Sequence, residues 1–332
     1  MKDTQLKTLK EFIKIKSVST QNDYSSDMEK AREFLVTLLG SMGFKTRILK
    51  AQMHAVVFAQ KIFSPKYPTV LIYGHYDVQP PEPINEWKTP PFVPTVKNGR
   101  LFARGADDNK GQIMIHIMAV KEILKKDNPK LNFKFIIEGE EEIGSISVEK
   151  LVKSYAKNLF KADIILVSDS EMVAPKIPTI TSSLRGIVYP EIFLEAAKHD
   201  LHSGQYGGVA LNAANVLIDI LSKLKDKNNK VLIPGFYDDV ALPTQKELKD
   251  FKKIKNTEKS LKKEGGFFWL GGGEERFSLN ERMWTRPTFD VNGITTGYQE
   301  EGSKTIIPAK ASAKVSMRIV PNQDPGEIYK LF

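Results

Sequence analysis

The sequence predicts an α/β protein in two domains. Residues 1–184 read as a domain with a central, mostly parallel sheet flanked by helices. Residues 185–332 read as a smaller α+β domain with an antiparallel sheet and helices. Three observations predict this. Apolar runs alternate with helix-period segments through the first half, the pattern of a parallel sheet covered by helices. From about residue 185 the strand-like segments alternate apolar and polar, as in a sheet with one face in water. A length of 332 residues is long for one core and comfortable for two.

The elements follow in order. Residues 2–16 and 28–43 carry apolar residues at helical spacing, and the second segment stops at the glycine of "SMGF". "AVVFAQ" (55–60) and "TVLIYG" (69–74) read as buried strands. "DNKGQIMIHIMAVKEILKK" (108–126) has the spacing of a long core helix. "FKFIIEG" (133–139) and "ADIILVS" (162–168) are two more strands, with a helix near 147–158 between them. In the second half "GIVYPEIFLEAA" (186–197) alternates like a half-exposed strand and "ALNAANVLIDILSKLKD" (210–226) is an amphipathic helix. "PTFDVNGITTG" (287–297) and "AKASAKVSMRIVP" (309–321) are again strand-like.

Composition narrows the function. The chain has no cysteine, which excludes disulfides, thiolate–metal sites and a cysteine nucleophile, and fits a reducing compartment. "MKDTQLKTLKEFIKIKSVST" at the N-terminus lacks the apolar segment of a secretory signal. The most apolar stretch, around "QIMIHIMAV", is too short to span a bilayer. A cytoplasmic protein with no membrane partner is expected. The net charge of +9 raises nucleic-acid binding. Much of the lysine, however, sits in residues 244–266 mixed with acidic residues, the pattern of a solvated helical face and loop. No helix-turn-helix, zinc-finger or aromatic-basic motif accompanies it, so no nucleic-acid partner is expected.

Four strand ends carry acid or histidine: "YGHYD" (His75, Asp77), "ARGADDNKG" (Asp107, Asp108), "EGEEEIGS" (Glu140, Glu141, Glu142) and "LVSDSE" (Asp169, Glu171). Ligands of parallel sheets bind beyond the carboxyl ends of the strands. Carboxylates gathered there repel one another unless cations neutralise them. Histidine nitrogen and carboxylate oxygen suit hard or borderline divalent metals. Asp77, two residues beyond His75, suits a carboxylate that holds the second ring nitrogen of a ligating imidazole. Adjacent glutamates can divide the work of metal ligand and general base, and two ions about 3.5–4 Å apart can act together on water and carbonyl. His116 reads as a residue of the long helix, and His54 and His199 have no motif around them.

"GHYDVQP", "NGRLFARGADDNKG", "EGEEEIGS", "VSDS" and "DLHSGQYGG" occur in this order. Order and spacing resemble the dinuclear-zinc metallopeptidases of family twenty, which include carnosinase, other cytosolic dipeptidases, aminoacylase and glutamate carboxypeptidase. The resemblance runs from about residue 5 to the end, and "HYDVQPP" followed by "WKTPPF" looks like the dipeptidase branch. It implies that residues 1–184 are the N-terminal part of a catalytic metal-binding domain and 185–332 a lid and dimerisation domain. It implies two divalent ions per active site, zinc first and manganese or cobalt as alternatives. His75, Asp107 and Asp169 would hold the first ion, with Asp107 bridging to a second that Glu142 also holds. Asp77 would orient His75, and Glu141 would be the general base. His202 would reach the active site of the partner in a homodimer and stabilise the oxyanion. Thr305 and Arg318 would help hold the substrate, Arg318 through its carboxylate.

The family also has a distal histidine late in the chain, whereas no histidine follows His202 here. The expectation is therefore a chain cut inside the lid. The expected function is metal-dependent hydrolysis of the amide bond of dipeptides or N-acyl amino acids, through activated water and a glutamate base. The alternative is a truncated, catalytically weak protein, derived from such a peptidase, that binds metal or serves oligomerisation.

Overall fold

The apolar runs of the first half assemble into one sheet. The computed structural model describes residues 3–126, 129–170, 172, 177, 179–181 and 183–332. It divides into two units, Met1–Glu171 and Met172–Phe332. The first unit contains α1 (Asp3–Lys14), α2 (Ser25–Ser41), β1 (Lys45–Leu49), β2 (Val56–Lys61), β3 (Thr69–His75), β4 (Thr95–Lys97) and β5 (Arg100–Phe102). It continues with α3 (Lys110–Ile123), β6 (Asn132–Glu138), α4 (Val148–Tyr155) and β7 (Ile164–Val167). Strand order is β1-β2-β6-β3-β7. β1–β2 and β2–β6 are antiparallel, whereas β6–β3 and β3–β7 are parallel, so the sheet is mixed.

The parallel part decides where chemistry can sit. Within it His75 pairs with Glu138, which brings the carboxyl ends of β3 and β6 side by side. Helices cover both faces. Phe12, Leu35, Ile113 and Ile117 pack with Val57, Ile72, Phe135 and Ile137 on one. Leu151 and Phe160 pack with Phe58, Leu71 and Ile136 on the other. Every residue of β6 is buried, as its central place requires. α3 begins on a fully buried lysine: Lys110 Nζ donates to the Ile15 carbonyl at 2.6 Å and the Phe12 carbonyl at 3.2 Å. It thereby ties the start of α3 to the end of α1. Burial pushes this amine down to about 7. The β4–β5 hairpin turns on Asn98 and Gly99, both at positive φ, as a two-residue hairpin loop demands.

The second unit contains β8 (Gly186–Val188), β9 (Glu191–Glu195), β10 (Leu201–His202), α5 (Ser203–Tyr206), α6 (Ala213–Lys223), α7 (Gln245–Phe251) and α8 (Glu258–Gly265). It ends with α9 (Leu279–Trp284), β11 (Thr288–Thr296), β12 (Ile306–Ile307), β13 (Lys310–Ile319) and α10 (Pro325–Leu331). β13 is the spine of an antiparallel sheet, with β11 on one side and β9 then β8 on the other. Its alternation buries Ala311, Ala313, Val315, Met317 and Ile319. α6 packs on the alanines through Ala213 and Leu217. The lysine-rich segment forms α7 and α8, each opened by a threonine capping box, at Thr244 and Thr257.

Candidate metal centre

His75 ends β3 with its side chain fully buried. Its Nδ1 lies 3.1 Å from the Asp77 carbonyl and 3.3 Å from Asp77 Oδ1. Its Nε2 faces three carboxylates: Asp108 Oδ1 at 3.0 Å, Asp169 Oδ2 at 3.6 Å and Glu141 Oε2 at 3.9 Å. Asp77 Oδ2 in turn accepts the Glu142 N–H at 3.0 Å, tying the β3 end to the turn after β6. Gln79 donates to Glu142 Oε2 at 2.8 Å.

Two donor groups result: His75 with Asp108 and Asp169, and His75 with Glu141 and Glu142, the donor atoms of each lying within 4.8 Å of one another. Among the described residues Asp107 belongs to neither. This corrects the expectation for the bridging position: the structure brings Asp108, not Asp107, to His75. The reason is Asn109, the next residue, which is buried. Its Oδ1 accepts the His75 backbone N–H at 3.3 Å, and its Nδ2 donates to Asp169 Oδ1 at 2.9 Å and the Ser168 carbonyl at 3.0 Å. Asn109 anchors the loop against both strand ends and sets its immediate neighbour against the imidazole. Spacing alone does not separate two adjacent aspartates; the buried partner of the third residue does. Glu171 lies outside the described residues. Glu140 is no ligand: its buried carboxylate accepts the backbone N–H groups of Met53, His54 and Ser147.

The electrostatics match a cation site. Burial alone would push the His75 imidazole down, but hydrogen bonds to Asp108, Asp169 and Asp77 outweigh it and raise it to about 12. The hydrogen bond with His75 holds Asp169 below the usual carboxylate range, against the opposing effect of burial. Burial first, then repulsion from Asp169 and Glu142, raises Glu141 to about 7, against the attraction of His75. Burial also raises Glu142. An imidazole nitrogen facing this many carboxylate oxygens at a half-open strand end is the donor set that divalent ions take. A metal on Nε2 replaces the proton that the carboxylates otherwise hold there.

A model of peptidase family M20/M25/M40 matches residues 71–317. The chain belongs to this family. Beta-Ala-His dipeptidase of Rattus norvegicus is 32% identical over 351 residues, covering 98% of this chain and 69% of that protein. Cys-Gly metallodipeptidase of Schizosaccharomyces pombe is 36% identical over 344 residues, covering 99% and 72%. Among solved structures, an M20 family metallo-carboxypeptidase of Sulfolobus solfataricus superposes with a TM-score of 0.87 at 39% identity, covering all of this chain and 74% of that one. As a member of the M20 family this chain is a metal-dependent peptidase. Among the described residues no helix is long and apolar enough to cross a membrane.

The second unit holds the other expected M20 residues. His202 and Thr305 come together: His202 pairs with Ile306, and the Thr305 carbonyl accepts the Ser203 N–H at 3.1 Å. His202 is exposed and caps α5, its Nδ1 accepting the Gly204 N–H at 3.0 Å. In the neutral ring this places the proton on Nε2, leaving an N–H donor there. Arg318 sits on β13, exposed, between Thr288 on β11 and Ile187 on β8. The register puts Arg185 diagonally across from it on the same face. Burial, and then the charge of Arg318, lower Arg185. Sequence reasoning did not single out Arg185. The "LR" that precedes β8 carries no spacing signal, and only the β8–β13 register brings the two guanidiniums near each other.

Proposed function

We propose that this chain hydrolyses the peptide bond of dipeptides that bear a free carboxylate, with His75, Asp108 and Asp169 holding one divalent ion and Asp108 and Glu142 a second. The observation that carries the reading is His75 itself: Nδ1 held by Asp77, Nε2 within 4 Å of Asp108, Asp169 and Glu141. Zinc is the expected metal, with manganese or cobalt as alternatives for so oxygen-rich a set. When bound, such ions lower the pKa of water and polarise a carbonyl.

The chain's own residues do the rest. Glu141, whose Oε2 lies 3.9 Å from His75 Nε2, accepts a proton from the attacking water and returns it to the leaving amine. Asp77 fixes the imidazole and, through the Glu142 N–H, the turn that carries the glutamates. Arg318 and Arg185 hold the substrate carboxylate, and Thr305, next to His202, supports the substrate. His202 donates from Nε2 to the developing oxyanion, acting on the partner's active site in a homodimer. The cytoplasm is the expected compartment. N-acyl amino acids share the carboxylate and amide that this reading requires.

The dipeptidase relatives favour dipeptides, and the Sulfolobus solfataricus relative favours a carboxypeptidase. Zinc-loaded protein assayed on a dipeptide, its C-terminal amide and its N-blocked form separates these. Cleavage of the free dipeptide alone supports the proposal. Equal cleavage of the N-blocked form establishes the carboxypeptidase reading, and equal cleavage of the amide removes the arginine clamp.

A further inference from the structure

β6 is apolar over Phe135–Ile137 and fully buried throughout, yet it ends on Glu138, whose side chain has no solvent exposure. Glu138 Oε1 accepts the Tyr73 hydroxyl and, at 2.9 Å, the Ser145 hydroxyl. Oε2 is buried with no hydrogen-bond partner among the described residues. A half-satisfied buried carboxylate costs stability that an apolar residue there would not. Such a cost is characteristic of sites where position matters more than stability.

What the carboxylate holds is specific. The eight residues from Glu138 to Ser145 contain both glutamates assigned to the reaction. The segment turns through a single helical turn over Glu141–Ile143, then Gly144 and Ser145 at positive φ. Positive φ at Ser145 is a conformation that a residue with a Cβ rarely keeps without outside support. Two contacts supply it: the Ser145 N–H donates to the Glu140 carbonyl at 2.7 Å, and its hydroxyl donates to Glu138. Glu138 thus reaches across the turn that it begins and fixes the far end. Tyr73 fastens the same carboxylate to β3, two residues before His75. The strand that carries the imidazole and the turn that carries the glutamates are joined through Asp77 and Gln79 on one side and through Glu138 on the other.

We propose that Glu138, joined to Tyr73 and Ser145, is a positioning residue that sets Glu141 and Glu142 relative to His75. The inference rests on Glu141 and Glu142 having the roles proposed above. It differs from a structural role in what it spares and what it moves: the fold survives its loss, whereas the turn does not keep its geometry.

The test compares Glu138→Leu, Glu138→Gln, Ser145→Ala and Glu141→Gln in the zinc-loaded protein, with amide hydrogen exchange on the metal-free protein as a separate readout. Glu138→Leu is expected to melt no lower than the parent and to exchange faster only at the amides of residues 141–147. Its kcat is expected to fall about 10–100-fold, the usual cost of losing a residue that orients a metal-site group, with KM little changed. Glu138→Gln keeps an oxygen for both hydroxyls and is expected to retain most of the activity. Ser145→Ala, which leaves the strand intact, is expected to share the faster exchange and part of the loss in kcat. It carries the test if the leucine variant does not fold. Unchanged exchange and kcat in folded Glu138→Leu would overturn the inference, as would a loss of kcat that merely tracks metal or folded fraction. Full activity in Glu141→Gln would instead overturn the assignment of the base. The exchange data would still show whether Glu138 holds the turn.

Discussion

The two units carry their functional residues in opposite ways. In the first, His75 and Asp77 have no side-chain exposure and crowd against Asp108, Asp169 and the paired glutamates at one strand end. In the second, His202, Thr305 and Arg318 all face solvent, on β10, just before β12 and on β13. Buried, mutually bonded groups perturb one another: His75 is driven up, Asp169 down and Glu141 up. The exposed groups of the second unit include the His202 imidazole and the Arg318 guanidinium. On the proposed function, the first unit holds the ions and moves the proton, and the second meets the carboxylate and the oxyanion.

Removing the base tests that contrast most severely. Glu141→Gln should lower kcat by about 10³-fold or more while metal per chain, read by atomic emission, stays the same. An active variant would take the proton transfer away from this residue. His202→Ala should cost about 10²–10³-fold in kcat with the first unit's metal site untouched. Mixing that variant with Glu141→Gln then sharpens the point. If His202 serves the partner's site, exchanged dimers carry one intact site each, and activity should recover to about a quarter of the parent. No recovery would place His202 in its own subunit's chemistry or in none.

The adjacent aspartates give the next effect. Asp108→Asn should weaken metal binding by about 100-fold or more in a chelator competition, since a ligand should cost at least as much as the groups that orient ligands. Asp107→Asn should leave it unchanged, and the reverse result would restore the bridging role to Asp107. The smallest effect is expected at the arginines. Arg318→Ala and Arg185→Ala should each raise KM about tenfold, the worth of one charge-assisted hydrogen bond, for substrates with a free carboxylate. Against amidated substrates neither should matter.

Much of the first unit was legible because its signals are local. Apolar runs gave β2, β3, β6 and β7, and helical spacing gave α1 to α4 within a few residues of their observed ends. α2 starts three residues earlier than its apolar pattern because the chain enters it directly from a helical turn at Asn22–Tyr24. β1 was not read, since "KTRIL" buries only Leu49 and looks polar. The β4–β5 hairpin has its sequence signal only in the pair Asn98–Gly99, both at positive φ. Burial was legible for β2 and β3 but not for β6 and β7. "FKFIIE" and "IILV" read alike, yet β6 is buried throughout and β7 exposed throughout, because one is central in the sheet and the other lies at its edge.

The sequence by itself determined which residue types stand at the strand ends, and hence that histidine and carboxylates gather where a parallel sheet binds its ligand. Side-chain chemistry and hydrophobic period are written residue by residue, so they survive without coordinates. Only the tertiary structure decided which of two adjacent aspartates meets His75, that Arg185 lies near Arg318, and that Glu138 closes the turn of the glutamates. Each of these depends on register or on a buried partner far away in the chain. A one-residue shift in either sends a side chain elsewhere without changing anything the sequence shows.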